Sequence, residues 1–92
     1  MPLLNDKQSF EAVRLYPNPN NGNMTVNYEL PENETGTFEI YDLMGKKLYS
    51  YPLLSGKNLF SINEETLGQG IYLYKALAGN KLIATDKIVV IK

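Results

Sequence analysis

Met24-Thr25-Val26-Asn27-Tyr28-Glu29-Leu30 alternates apolar and polar residues without a break. A period of two places Met24, Val26, Tyr28 and Leu30 on one face of an extended strand and Thr25, Asn27 and Glu29 on the other. A helix would scatter the same residues around its axis, so the stretch reads as a strand with one face on a core. Strand-forming character continues on both sides. β-Branched and aromatic residues mark 10–16, 37–41, 46–54, 59–62, 71–78 and 81–91 as further strands. Turn formers separate them: Asn20-Asn21-Gly22, residues 31–36, Asp42-Leu43-Met44-Gly45, Ser55-Gly56-Lys57-Asn58 and Gly79-Asn80. Residues 63–69 fit either a single helical turn capped by Asn63 or a plain corner loop, with Leu67 as the buried anchor in both.

Seven such strands in 92 residues predict an all-β domain, an immunoglobulin-like seven-stranded antiparallel β-sandwich. The paired Cys and core Trp of antibody domains are missing, so only the general architecture follows. The expected core is Val26, Tyr28, Phe38, Ile40, Ile62, Leu67, Tyr72 and Val90. Burying Tyr28 requires a partner for its hydroxyl.

Composition removes most chemistries. The chain has neither Cys nor His, which excludes disulfides, thiolate or imidazole catalysis and zinc sites built from those residues. Nine basic and ten acidic residues are scattered, with no run of like charge longer than two, for a net charge of −1, leaving no electrostatic footprint for nucleic acid. Apolar residues make up 43% and charged ones 21%, as in ordinary globular domains. No apolar run approaches the roughly 20 residues of a spanning helix. The carboxylates form no catalytic pair: Glu64 and Glu65 are adjacent and point apart, and Glu39, Asp42 and Asp86 fall in separate strands or turns. Nothing implies a cofactor, metal or small-molecule substrate. The opening Met1-Pro2-Leu3-Leu4-Asn5-Asp6 has no basic region followed by an apolar one, so it does not read as a secretory signal.

Four motifs stand out. In Tyr16-Pro17-Asn18-Pro19, followed by Gly22, two prolines fix φ around one asparagine and push Tyr16 and Asn18 toward extended geometry, giving a stiff bridge between the first two strands. Asp42 and Gly45 bracket the central turn. Leu67, Gly70 and Tyr72 stand where sandwich folds place a tyrosine whose hydroxyl bonds back to the preceding loop. Lys87-Ile88-Val89-Val90-Ile91-Lys92 ends the chain with four β-branched residues in a row between two lysines. That run suits a strand covered on both faces, with lysines discouraging edge pairing. Its position makes it a handle for a receptor that reads sheet edges or chain ends.

In this order and spacing, over about residues 14–92, these motifs strongly resemble type A C-terminal sorting domains of the type IX secretion system. The resemblance implies a non-enzymatic tail, found in Bacteroidota, that carries a folded cargo from the periplasm through an outer-membrane translocon to the cell surface or beyond. It implies as partners the translocon, outer-membrane shuttle or sortase components, and a cargo domain fused N-terminally. Removal by a sortase-like peptidase at the surface would follow. Residues 1–13 would then be the linker to that cargo, with 10–13 able to pair with the sheet, and 14–92 the sorting domain. A fibronectin-like or carbohydrate-binding accessory module is the alternative, using an exposed platform drawn from Tyr49, Tyr51 and Tyr74. A small glycosidase is a third reading, which the missing carboxylate pair disfavours.

Overall fold

The structure, a computed structural model, describes residues 12–92. Seven strands follow one another: β1 Val13–Tyr16, β2 Asn23–Tyr28, β3 Gly36–Tyr41, β4 Lys47–Leu53, β5 Leu59–Asn63, β6 Gly70–Ala78 and β7 Lys81–Val90. They form a three-stranded sheet in the order β1-β2-β5 and a four-stranded sheet in the order β4-β3-β6-β7, with every ladder antiparallel. The fold is the expected immunoglobulin-like sandwich. Residues 10 and 11 of the predicted first strand lie outside the described residues, as does most of the predicted linker 1–13. Residues 64–69 are a corner loop, with Asn63 closing β5, and the loop is held where Leu67 N–H donates to the Glu64 carbonyl at 3.0 Å.

Register explains the core. On β3, Phe38 lies between Tyr51 and Ala76, and Ile40 between Tyr49 and Tyr74. On β2, Val26 faces Leu15 and Phe60, and Met24 faces Ile62. The inner faces of the two sheets therefore present continuous apolar rows, and they meet in an aromatic seam. Phe38 stacks on Tyr74 with centroids 4.9 Å apart and takes Phe60 edge-on at 5.7 Å, while Phe60 also meets Tyr28 at 5.9 Å. Phe38, Ile40, Val26, Ile62 and Val90 are all buried, with Leu67 at their margin.

Tyr28 is buried as well, and Leu54 satisfies it: the hydroxyl donates to the Leu54 carbonyl at 3.2 Å and accepts from the Leu54 amide at 3.1 Å. Two expectations need correction. Tyr72 is half-buried and packs against the edge of the core, because its ring leans over residues 68–70. Residues 88–91 are not covered on both faces. In a two-layer sandwich each sheet has one inner and one outer face, so Ile88 and Val90 on β7 point inward and are buried, whereas Val89 is half-buried and Ile91 is 56% exposed.

Candidate functional site

The motif residues come from both ends of the chain and meet along one edge. Between β1 and β2 the chain passes through Tyr16, Pro17, Asn18 and Pro19, all exposed, and both X–Pro bonds are cis. The Asn18 side chain reaches β7: its Nδ2 donates to the Lys87 carbonyl at 3.0 Å, and its Oδ1 accepts from the Val89 amide at 2.8 Å. The backbone of Asn20 continues the line. Its N–H donates to the Val89 carbonyl at 2.9 Å and its carbonyl accepts from the Ile91 amide at 2.8 Å, forming a single parallel bridge with Val90. Lys87 N–H, the next outward donor, is taken by Asp86 Oδ1 at 2.8 Å. The edge of β7 at 87–91, expected to be reachable, is closed by Asp86, Asn18 and Asn20.

Asn20 holds this turn in shape. It is buried, with Nδ2 donating to the Pro17 carbonyl at 3.1 Å and Oδ1 accepting from the Gly22 amide at 2.8 Å. Gly22, at φ +105°, passes so close to the 64–69 loop that a Cβ there would sit 2.6 Å from the Glu64 carbonyl oxygen. The Glu64 amide donates to the Gly22 carbonyl at 2.9 Å. A residue with a Cβ would push the turn off the loop.

The same loop receives the end of the chain. Lys92 N–H donates to Gln69 Oε1 at 3.1 Å, and the Lys92 ammonium donates to the Glu65 carbonyl. Tyr72 bonds back as expected, its hydroxyl donating to the Gly68 carbonyl at 2.7 Å, and Gly70 opens β6. Leu67 roots the loop in the core. One continuous assembly therefore joins residues 16–22, 64–72 and 86–92. Asp42 and Gly45 stand apart from it, in the β3–β4 hairpin, where Asp42 Oδ1 accepts from the Met44 and Lys46 amides, each at 2.9 Å.

What this assembly offers a partner is side chains. Lys87, Ile91 and Lys92 are exposed. Val89 pairs across to Ile71 and Lys87 to Leu73, and Ile71 and Leu73 are 49% and 40% exposed. The tail thus extends an apolar stripe edged with lysine on the outer face of the four-stranded sheet. Sequence reasoning missed Asn20, whose only sequence signal is an asparagine within a turn, and missed that Asn18 serves a strand some seventy residues away.

Of the tyrosines proposed for a glycan platform, Tyr49 is half-buried, packed against the core and stacked on Tyr51 with centroids 6.3 Å apart. Tyr74 is buried in the seam, where burial and then the nearby Asp86 raise its phenol above the ordinary value. Tyr51 is half-buried and donates to Glu64 Oε2 at 2.6 Å, and burial followed by that bond pushes its phenol well up. Glu64 is thereby committed to a structural bond. Among the described residues, no three His, Cys, Asp or Glu side chains gather where they could hold a metal ion.

The family model for the secretion system C-terminal sorting domain matches residues 14–92. A comparison with curated proteins finds no match.

Proposed function

The chain belongs to the family of secretion system C-terminal sorting domains, and from that premise we propose that it is the non-enzymatic address module of an exported protein, read at residues 87–92. The family makes it a sorting signal for type IX secretion. The finer reading places a cargo ahead of a linker at 1–13, carries that cargo through the periplasm to the outer-membrane translocon and its shuttle or sortase components, and removes the module at the cell surface by a sortase-like peptidase cutting within that linker. The observation that carries it is the convergence of the first motif and the last on one edge, beside an outward face of Lys87, Val89, Ile91, Ile71 and Leu73. Recognition of an extended segment through alternate side chains suits such a face.

A fusion of signal peptide, reporter and this chain tests it. Lys87→Gln with Ile91→Ser alters exposed side chains and keeps the bonded backbone, so stability should shift by about 0.5 kcal/mol or less per site. The fusion is expected to fold, reach the periplasm and fail to reach the surface. Normal surface display of this variant would place the signal elsewhere in the domain.

A further inference from the structure

We propose that residues 17–20 form a removable edge cap: they close the 87–91 edge of β7 to strand pairing in the free module, and an extended strand of a partner gains that edge by displacing them. The inference rests on the reading of 87–92 as the recognised segment and adds how that segment is reached.

An edge strand with unpaired N–H and C=O groups is a template for any other strand, including a second copy of the same chain. Here Asp86 takes the Lys87 amide, Asn18 takes the Lys87 carbonyl and the Val89 amide, and Asn20 takes the Val89 carbonyl and the Ile91 amide. The cap imitates a strand without being one. Pro17 and Pro19 have no amide hydrogen, so the segment cannot continue the ladder beyond its one bridge at Asn20 and Val90. Nor can it serve as a new edge for another strand.

The same features make it displaceable. Asn18 is exposed and bonds to β7 through its side chain alone. The turn also carries bonds of its own, from Asn20 to Pro17 and Gly22, which remain when its bonds to β7 are broken. Ile88 and Val90 meanwhile pair with Tyr72 and Gly70 on the other side, so β7 stays in its sheet when the cap lifts. A partner strand would supply an uninterrupted ladder where the cap supplies one bridge and one side chain, which favours exchange.

Amide hydrogen exchange on the 92-residue chain reads the cap directly. Alternation along β7 puts the amides of Val89 and Ile91 under the cap and those of Ile88 and Val90 against β6. If the cap lifts by itself, Val89 and Ile91 exchange at least about tenfold faster than Ile88 and Val90, as expected for a local opening. Asn18→Ala should speed Val89 by a further factor of about five, the effect of one ordinary hydrogen bond, without moving Ile88 or Val90. One common rate for all four amides, or an unchanged Val89 in Asn18→Ala, overturns the proposal. In the reporter fusion, Asn18→Ala should quicken surface appearance, and a rate at or below that of the unaltered chain overturns the displacement step. Because exchange is read without any secretion machinery, a failed cap leaves the sorting reading standing. A failed sorting reading would show instead as surface display of the Lys87→Gln, Ile91→Ser fusion.

Discussion

Two tyrosine hydroxyls each hold a loop, and the burial of the groups they bond decides how much each contributes. Tyr28 lies in the core and serves both the amide and the carbonyl of Leu54. Tyr72 bonds one exposed carbonyl, that of Gly68, which water can reach in its absence. Tyr28→Phe should therefore cost about 1–3 kcal/mol and Tyr72→Phe about 1 kcal/mol or less, read from urea midpoints. The reverse order would contradict these assignments. Glu39 gives a titration test on the outer sheet face. The Tyr41 hydroxyl at 2.6 Å holds its carboxyl below the ordinary value of 4.5; burial opposes this, and Lys47 at 3.1 Å and then Lys75 add to the lowering. A depressed folded pKa stabilises fully above the unfolded value and loses its contribution as pH falls through the folded one. The melting-temperature gap between the natural chain and Glu39→Gln should accordingly narrow between about pH 6 and about pH 3. A gap that stays constant or widens would count against the Glu39 arrangement.

At the scale of elements, the strands were legible and their edge partners were not. Alternation in 24–30 and 37–41 reports a local property, which face of a strand is apolar, and it placed Val26, Phe38 and Ile40 in the core. The same logic misjudged 88–91, because a run of β-branched residues cannot distinguish a strand covered on both faces from one whose outer face is open but apolar. Tyr74 had the parity of Ala76 and Ala78, all three buried, but parity alone does not say which face is inside. The bonds from Asn18 and Asn20 to β7 had no local signature, since side-chain and single-bridge contacts leave no period in the sequence. The turn they occupy depends on Gly22. Gly22→Ala would drive a Cβ into the Glu64 carbonyl, whereas a Cβ at Gly45, φ +91°, meets nothing within 4 Å. Gly45→Ala should lose only about 1–2 kcal/mol for its backbone conformation, and Gly22→Ala distinctly more by thermal unfolding. Equal losses would mean that the turn does not press on the 64–69 loop.

The whole molecule is a thin sandwich, and at about this length only some 60–65% of the unfolded surface can be buried. Its last strand therefore serves two ends: Ile88 and Val90 close the core, and Lys87, Val89 and Ile91 face outward. That double duty explains why truncating the tail is a poor probe of export, since burying one Val or Ile contributes about 1.5–3 kcal/mol and a small domain holds only about 5–15 kcal/mol in total. The central claim is that this sandwich alone directs a passenger through the type IX route. The direct measurement is the surface-exposed fraction of a reporter that carries a signal peptide at its front and this chain at its end, in cells with the type IX translocon and in otherwise identical cells without it. Reporter is expected at the surface or in the medium in the first and retained in the periplasm in the second. Retention in both, or surface display in both, would contradict it.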